Sequence, residues 1–243
     1  MSRYRHSVDD RAVWEAEAEH WVRWARTPGH DAYWFYRDSF FDAVVPAPGR
    51  LTLEVGCGEG RVTRDLAARG HRVLSLDCST TLLRHAQRSD PSGHYVQGDA
   101  AALPFGDGAA DLMVAYNSLM DFDDMPGAVA EMARVLAPGA ALCICITHPV
   151  LGAGGFDTDA DDAPYRLREP YFGGNRFDTT VEQRGVTIRF RGWSHALEDY
   201  VGALSGAGLV IDMVREPVPS AGARHYERWH RYLMFLHVRA VKR

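Results

Sequence analysis

The chain has 243 residues, of which 46% are hydrophobic and 24% charged, and its formal net charge is −5. This length allows one α/β domain with a full hydrophobic core, and the composition is typical of a soluble protein. Basic residues are scattered along the chain, and the first ten residues include charged side chains and no apolar run. No apolar run anywhere in the sequence approaches about 18 residues. We therefore expect no nucleic-acid partner, no secretory signal and no membrane span.

Residues 9–45 are predicted to be helical and are rich in aromatic side chains. Trp14, Trp21 and Trp24 form an apolar stripe at helical spacing, and a Pro-Gly break separates this helix from a second one over 31–45. The aromatic residues can pack on a sheet, which is the favoured interpretation for most of them. Alternatively, the break and the second helix can form a lid over a ligand.

The segment 51–61 is interpreted as a short apolar strand, a glycine-rich turn and the start of a helix that ends near residue 68. Glycines at 56, 58 and 60 let the backbone turn tightly and let a ligand lie against bare main chain. The first helical turn exposes amides with partial positive charge. Strand, tight turn and helix together indicate a nucleotide site at the carboxyl edge of an α/β sheet.

Two common nucleotide motifs fit this turn poorly. A phosphate loop has Lys-Ser/Thr after the last glycine, where this chain has Arg61-Val62, and a dinucleotide fingerprint has a small residue where Arg61 stands. Glu54 lies two residues before the first glycine. Its charge would repel a pyrophosphate but suits a ligand that carries an ammonium and a sulfonium, as S-adenosylmethionine does.

The segment Glu54-Val55-Gly56-Cys57-Gly58-Glu59-Gly60 resembles the E/D-x-G-x-G-x-G motif of class I S-adenosylmethionine-dependent methyltransferases at every fixed position. The resemblance runs from about Trp14 to the end of the chain and is closest between 50 and 147. It implies an α/β fold with a doubly wound, seven-stranded, mostly parallel sheet in the order 3-2-1-4-5-7-6. The expected organisation is a single methyltransferase domain over 1–243, with an N-terminal helical lid at 9–45 and a substrate-covering insertion at 150–192.

Acids at successive strand ends are the expected anchors of the cofactor. Asp77 ends the predicted second strand, 19 residues after Gly58, where an acid accepts hydrogen bonds from both ribose hydroxyls. The resemblance places Asp99, after a predicted strand at 94–97, against the exocyclic amine of adenine. Glu54 would anchor the methionine end, together with the amides near Gly56 and Gly58.

The resemblance also implies further contacts with S-adenosylmethionine. We expect Tyr33 and Arg37 to face the site, where Arg37 would pair with the methionyl carboxylate. The remaining residues expected at the cofactor are Cys57, Cys78, Ala100 and Asn117. Cys57 and Cys78, with Cys143 and Cys145, lie in predicted strands or the turns after them, which favours reduced thiols, a cytoplasmic location and no metal site.

The fourth strand, over 111–116, leads into Asn117-Ser118-Leu119-Met120. This is not the Asn/Asp-Pro-Pro-aromatic tetrad of relatives that methylate nucleobase or glutamine amines, which also argues against a nucleic-acid substrate. Met120 stands where many relatives have histidine. His148 follows the fifth strand, over 140–147, and is either a general base or a loop histidine bonded to nearby backbone. Both interpretations stay open.

The region after His148 departs from a plain βα repeat and is expected to cover the acceptor. A hairpin is predicted over 179–190, and Ser194 is predicted to cap a helix that ends near 205. Strands over 209–214 and 231–241 complete the sheet. The segment 193–200 resembles a family segment written His-Arg-Pro-Leu, but Ser194 stands at the position of its histidine and His195 is shifted by one, which weakens a catalytic assignment for His195.

The sequence therefore predicts transfer of the methyl group of S-adenosylmethionine to an O or N atom of a small-molecule acceptor. The closest likeness is to small bacterial methyltransferases, some of which act in secondary metabolism and in quinone methylation. One alternative is a protein of the same fold that binds S-adenosylmethionine without methyl transfer, which the missing histidine at Met120 favours. Another is an NAD-binding oxidoreductase, which Arg61 and Glu54 count against. A monomer or homodimer is expected.

Overall fold

A computed structural model describes residues 10–158, 160–222 and 224–243. These residues form six α-helices: α1 (Asp10–Arg26), α2 (Tyr33–Ala43), α3 (Arg61–Ala68), α4 (Thr80–Ser89), α5 (Met125–Val135) and α6 (Leu197–Gly206). They also form eleven strands: β1 (Thr52–Val55), β2 (Val73–Asp77), β3 (His94–Gln97), β4 (Ala110–Tyr116), β5 (Leu136–Thr147), β6 (Gly154–Phe156), β7 (Tyr165–Leu167), β8 (Asn175–Gln183), β9 (Val186–Ser194), β10 (Leu209–Arg215) and β11 (Phe235–Lys242).

Seven of the strands form one sheet, in the order β3-β2-β1-β4-β5-β11-β10. The pairs among β1 to β5 are parallel, and β11 is antiparallel to both β5 and β10. Because β10 and β11 are the sixth and seventh strands of this sheet along the chain, the predicted order 3-2-1-4-5-7-6 is confirmed. The carboxyl ends of β1 to β5 therefore meet at one edge, where a doubly wound sheet binds its ligand.

Strand β5 shows how the two faces of the sheet are filled. Its side chains alternate: Cys143 and Cys145 point to a cluster that includes α2 and α3, while Leu142 and Ile144 point to a cluster that includes α5 and α6. Both faces are therefore apolar, as expected for a parallel strand covered by helices. The two cysteines pack in the core, and all four cysteines of the chain are free thiols.

Helix α2 packs on one face of the sheet. Tyr33, Tyr36 and Phe40 are each at most 1% exposed and pack in the same cluster as Val114 and Leu66. The aromatic residues of this helix thus contribute to the core of the sheet. Helix α1 lies differently, since it contacts α4 and β9 and reaches the glycine turn, as described below.

The inserted region forms two small hairpins. Strands β6 and β7 pair in one, and β8 and β9 pair in the other across a turn at Arg184-Gly185, so the predicted hairpin is confirmed and is longer than expected. The ring of Phe190 on β9 meets that of Trp24 on α1 edge-on at 5.5 Å. The β8–β9 hairpin therefore rests against the N-terminal helix.

Three predicted boundaries were wrong. Strand β11 begins at Phe235, after the expected residue 231. Ser194 is the last residue of β9 and does not cap α6, because Asp199 accepts a hydrogen bond from the backbone N–H of Ala196 at 2.8 Å and closes the helix N-terminus instead. Strand β5 begins at Leu136, before the expected residue 140, and its pairing with β4 shifts register near Ala110. Within the described ranges, no helix combines the length and apolar character needed to cross a bilayer.

Candidate functional site

The glycine turn after β1 needs its glycines for two separate reasons. Gly56, Gly58 and Gly60 all have positive φ, at 78°, 56° and 83°. A Cβ on Gly56 would also lie 2.5 Å from Cβ of Ser118, whose hydroxyl donates a hydrogen bond to the carbonyl of Val55 at 2.9 Å. The turn is thus packed directly against the residues that follow β4.

The amides of the turn are held by β2. The N–H groups of Gly56 and Cys57 both donate to the carbonyl of Leu76, at 2.8 and 3.0 Å, and the N–H of Gly58 donates to Oδ2 of Asp77 at 2.8 Å. A contact of the amides near Gly56 and Gly58 with the methionine end of the cofactor stays a prediction, and it would compete with these hydrogen bonds. In this structure these groups brace the turn against the neighbouring strand.

Asp77 is the best-anchored acid of the site. Its Oδ1 accepts from the N–H of Ser79 at 2.9 Å while Oδ2 accepts from Gly58, and the residue is 7% exposed. Burial raises the pKa of Asp77, and the backbone hydrogen bonds oppose that rise. A carboxylate fixed in this way at the end of β2 retains lone pairs for two further donors, as the hydroxyls of a ribose would supply.

Glu54 faces away from the edge and toward α3. Alternation along β1 places Leu53 and Val55 in the α5 face, so Glu54 lies on the opposite face. There it accepts hydrogen bonds from the hydroxyls of Thr63 and Ser75. The residue is 2% exposed, and burial raises the pKa of Glu54 to about 8. Both hydroxyls bond the same oxygen, Oε2, so the structure ties Glu54 to Thr63 and Ser75 on this face of the sheet.

Asp99 lies after β3, as expected, but it is engaged by the first turn of α1. Arg11 forms an ion pair with its Oδ2, and the N–H of Ala101 donates to its Oδ1 at 2.9 Å. Nearby, Ala100 is buried in the core. The backbone carbonyl of Cys78 accepts a hydrogen bond from the side-chain amide (Nε2) of Gln97 at 3.1 Å. Asp99 is close to half exposed, so its pairing with Arg11 is a weak surface interaction.

Helix α1 covers the glycine turn. A Cβ on Gly58 would lie 3.1 Å from Nε1 of Trp21. Nearly two turns before Trp21, Glu15 accepts a hydrogen bond from the hydroxyl of Ser79 at 2.6 Å, and at the end of the helix Arg26 binds the buried Glu59 at 2.8 Å. The helix is therefore fastened at both ends to the segments that follow β1 and β2.

Arg61 was not predicted as a site residue, yet it is the most buried cation beside the turn among the described residues. It is 7% exposed, its guanidinium lies 4.9 and 4.4 Å from the ring centres of Trp21 and Tyr33, and Nη1 is 3.0 Å from Oδ1 of Asp31. Only the positive charge could be read from the sequence. The partner Asp31 is thirty residues away along the chain, so the pairing needs the folded structure.

Tyr33 and Arg37 are brought together by a residue of α3. Asp65 accepts a hydrogen bond from the hydroxyl of Tyr33 and pairs with Nη1 of Arg37 at 3.1 Å. The hydroxyl of Tyr33 is buried, and burial next to Asp65 raises its pKa. A contact of Arg37 with the cofactor carboxylate stays a prediction, and it would compete with this ion pair.

Asn117 is one of two non-glycine residues with positive φ in the described chain, at 51°. Its N–H donates to the carbonyl of Cys145 at 2.7 Å, and its Oδ1 is 3.4 Å from Sγ of the same residue. A left-handed residue at a strand end stores local strain, and such strain clusters at binding sites. The geometry singles out Asn117 at the point where β4 and β5 end side by side.

His148 has both ring nitrogens engaged. Nδ1 accepts from the N–H of Val150 at 3.3 Å, and Nε2 lies 3.3 Å from Oε1 of Glu216. Burial lowers the pKa of His148, and Glu216 opposes that effect. Of the two interpretations left open by the sequence, this geometry agrees with the histidine bonded to nearby backbone. Action as a base would require one of these contacts to break.

These residues fit the adenosyl part of S-adenosylmethionine. Asp77 and Asp99 offer acceptors after the neighbouring strands β2 and β3, and the glycine turn after β1 lies next to Asp77. The buried carboxyl of Glu54 suits a positively charged ligand above the turn, because such a ligand favours its ionised form. In the described ranges, no group of three or more His, Cys, Asp or Glu side chains is arranged to hold a metal ion.

Strand order, glycine turn and strand-end acids together define the class. The sheet and the glycine motif are similar to those of class I S-adenosylmethionine-dependent methyltransferases, whose cofactor is S-adenosylmethionine. A family model described as a methyltransferase domain matches residues 53–144, which is the region from β1 to β5 that carries the turn.

Individual proteins with the same features can be named. The chain is 35% identical over 118 residues to a demethylmenaquinone methyltransferase of Renibacterium salmoninarum, covering 48% of this chain and 50% of that protein. It is 28% identical over 179 residues to a probable S-adenosylmethionine-dependent methyltransferase of Mycolicibacterium smegmatis, covering 73% and 65%. The chain thus spans about half the length of the first of these curated relatives and just under two thirds of the second.

A solved structure extends the likeness of fold over most of the chain. An S-adenosylmethionine-dependent methyltransferase from Mesorhizobium loti superposes with a TM-score of 0.70 at 22% sequence identity, covering 87% of this chain and 98% of that one. At this level of identity the likeness concerns the fold alone. The acceptor and the chemistry must be argued from this chain's own residues.

Proposed function

We propose that this chain transfers the methyl group of S-adenosylmethionine to an O or N atom of a small-molecule acceptor. The observation that carries the proposal is Asp77, a buried carboxylate held by the N–H groups of Gly58 and Ser79 at the end of β2. An acid fixed beside a bare glycine turn is suited to a nucleoside with free ribose hydroxyls. The relatives named above act by their names on menaquinone precursors or on unspecified substrates, which supports a small acceptor.

Each strand end has its own part in holding the cofactor. Asp77 accepts hydrogen bonds from ribose, and Asp99 accepts from the exocyclic amine of adenine after releasing Arg11. Glu54 supplies negative charge beneath the turn. When bound, S-adenosylmethionine supplies an electrophilic methyl group on a sulfonium. Tyr33, Cys57 and the other predicted contacts close the site around it and exclude water.

The protein's contribution to the chemistry is chiefly alignment. A nucleophile held in line behind the methyl group reacts without further activation unless it carries a proton of high pKa. The acceptor site is assigned to the edge where β4 and β5 end, near Asn117 and His148, with the β8–β9 hairpin covering it. General-base action by His148 remains part of the proposal, and it depends on release of Val150 or Glu216.

A second candidate function is binding of S-adenosylmethionine without methyl transfer. The engagement of both nitrogens of His148 and the presence of Met120 at the usual histidine position favour it, because neither offers a ready base. The organisation proposed for either function is a single domain over 1–243, with a lid in 9–45 and the insertion at 150–192. A cytoplasmic monomer or homodimer is proposed, supported by the free thiols.

Calorimetry and product analysis test this proposal together. Titration with S-adenosylhomocysteine and with NAD should show binding of the first only. Incubation with S-adenosylmethionine and a panel of hydroxylated and amine-bearing small molecules should then yield S-adenosylhomocysteine. Binding without product for every acceptor would favour the second candidate, and selective binding of NAD would overturn both.

A further inference from the structure

The guanidinium of Arg61 lies at the carboxyl edge of the sheet, beside the glycine turn. Arg61 is the first residue of α3, which begins directly after that turn. Its Cζ is 4.9 Å from the ring centre of Trp21, whose Nε1 would lie 3.1 Å from a Cβ on Gly58. The same Cζ is 4.4 Å from the ring centre of Tyr33, and that ring meets the ring of Tyr116, the last residue of β4, at 5.3 Å. Contacts therefore link Arg61 both to the turn after β1 and to the end of β4.

This guanidinium is buried with a hydrogen-bonding group left unused. Arg61 is 7% exposed, and its Nη1 has no aligned hydrogen-bond partner among the described residues. Oδ1 of Asp31 lies 3.0 Å from Nη1, so this contact balances the charge without satisfying the N–H groups. Within the described ranges, no other guanidinium nitrogen is buried without a hydrogen bond. Leaving a buried donor unpaired is costly, so a ligand that brings an acceptor here removes that cost.

Other arginines around the turn already donate hydrogen bonds to carboxylates. Arg64, three residues further along α3, donates to Glu59 at 2.9 Å, and Arg37 donates to Asp65 at 3.1 Å. The sequence predicted Arg37 as the partner of the methionyl carboxylate, but that contact would have to displace Asp65. Arg61 can bind an anion through an N–H group that is not yet used.

The chemistry of this position matches one group of the proposed cofactor. S-adenosylmethionine carries a sulfonium, an ammonium and one carboxylate, and the carboxylate is the only one of these that a guanidinium attracts. Guanidinium and carboxylate are both planar, so they form two parallel hydrogen bonds. The rings of Trp21 and Tyr33 keep water away from the guanidinium, which strengthens such bonds.

We propose that Arg61, and not Arg37, binds the carboxylate of S-adenosylmethionine. The inference rests on the proposed function, since it assigns a further binding residue to the same cofactor. Trp21 belongs to α1, so a movement of this helix uncovers the guanidinium. Arg61 then holds the amino-acid end of the cofactor while Asp77 holds the ribose. Two fixed points orient the methyl group that lies between them on the sulfonium.

The test compares S-adenosylmethionine with decarboxylated S-adenosylmethionine, which lacks only the carboxylate. Isothermal titration calorimetry of the whole protein should show that the wild type binds S-adenosylmethionine about 30-fold more tightly. Arg61→Met removes the guanidinium and keeps a long side chain between the rings, so this preference should fall to about threefold or less. The inference is overturned if the wild type binds both ligands equally, or if Arg61→Met keeps the preference of the wild type.

Two further variants locate the effect. Arg64→Met is the matched control, because it removes a charge from the same helix while Arg26 still binds Glu59. It should keep the preference for the carboxylate, and so should Arg37→Met. A preference that disappears in Arg37→Met and persists in Arg61→Met would return the carboxylate to Arg37.

A measurement on the wild type does not depend on how well Arg61→Met folds. The Nε–H resonance of Arg61 can be assigned by its absence from the spectrum of Arg61→Lys. In NMR titrations of the wild type, this resonance should shift further with S-adenosylmethionine than with the decarboxylated ligand. Equal shifts with the two ligands would contradict a bond between Arg61 and the carboxylate.

Failure here is distinguishable from failure of the proposed function. If S-adenosylmethionine binds the wild type and Arg61→Met keeps the preference, only the assignment of Arg61 falls. If neither ligand binds the wild type, the proposed methyl transfer falls, and the inference falls with it.

Discussion

The cofactor side and the acceptor side of the sheet edge are built differently. On the cofactor side, Asp77, Glu54 and the amides of the glycine turn all have partners within the protein. On the acceptor side, His195 keeps an unpaired nitrogen against the rings of Trp193 and Tyr200. Apart from Arg61, the first region is braced and rigid before any ligand arrives, whereas the second leaves hydrogen-bonding capacity unused. Under the proposed function, recognition of the cofactor and recognition of the acceptor are thus separated along one edge.

The largest effect is expected at Asp77, which would break the cofactor side. Asp77→Asn removes the charge that strengthens two ribose hydrogen bonds, and at about 2 kcal/mol each this weakens S-adenosylhomocysteine binding about 1,000-fold. Isothermal titration calorimetry measures this loss of affinity. Asp111→Asn is the matched control, because this acid lies at the opposite end of β4 and binds Arg50. An affinity of Asp77→Asn within tenfold of the wild type would remove the anchor on which the proposed function depends.

A second substitution separates crowding from backbone strain in the braced turn. Gly56→Ala combines a positive φ of 78° with a Cβ placed 2.5 Å from that of Ser118. Gly139→Ala has nearly the same φ, 79°, and no atom within 4 Å of its new Cβ. We expect a loss of about 1 kcal/mol in the free energy of unfolding for Gly139→Ala and at least about 3 kcal/mol for Gly56→Ala. Equal losses in urea denaturation would contradict the role given to Ser118.

His237, a buried histidine outside both regions, should make the free energy of unfolding depend on pH. Burial lowers the pKa of His237 to about 4 in the folded protein, against 6.5 when unfolded. Between these values the unfolded chain binds more protons, so stability is complete above about pH 6.5 and falls as the pH drops toward 4, by up to about 3 kcal/mol. His237→Phe should flatten this part of the curve in denaturant titrations at a series of pH values. An unchanged slope would show that His237 is solvated in the folded state.

The smallest effect concerns the proton on Glu54. With a pKa of about 8, this carboxyl is mostly protonated at pH 7 in the free protein. A positively charged cofactor above the turn favours its ionised form, so binding of S-adenosylmethionine should release a fraction of one proton. Calorimetry in buffers of different ionisation enthalpy measures that fraction, and Glu54→Gln should abolish it. Proton release that persists in Glu54→Gln would assign the titration to another group.

The fold and the cofactor edge followed from local signals in the sequence. Apolar runs and glycine breaks predicted the strands, and the resemblance to the methyltransferase family predicted their order. The spacing from Gly58 to Asp77 indicated the second anchor, which stays a prediction. Pairings such as Arg61 with Asp31 and His148 with Glu216 join residues from distant segments, and no local pattern encodes them. For the same reason the sequence could not decide whether the nitrogens of His148 were free.

The region after His148, where we propose the acceptor site, was harder to predict because it departs from a plain βα repeat. The hairpin itself was visible in alternating residues around Arg184-Gly185, but its position against α1 was not. Ser194 had the right chemistry for a helix cap, yet Asp199 supplied the cap from within the helix. Ser194 is therefore the last residue of β9, and His195 lies in the short link between β9 and α6.

The contacts that hold α1 over the glycine turn bear on the exchange of S-adenosylhomocysteine for S-adenosylmethionine. Arg11 pairs with Asp99, and Trp21 lies over Gly58, so we expect this helix to move when a nucleoside enters or leaves the proposed site. The Arg11 to Asp99 contact is an exposed ion pair, which dissolved salt weakens. We expect S-adenosylhomocysteine to dissociate faster as ionic strength rises, as stopped-flow fluorescence of the tryptophans would record, and turnover to be limited by this gate when the acceptor is plentiful.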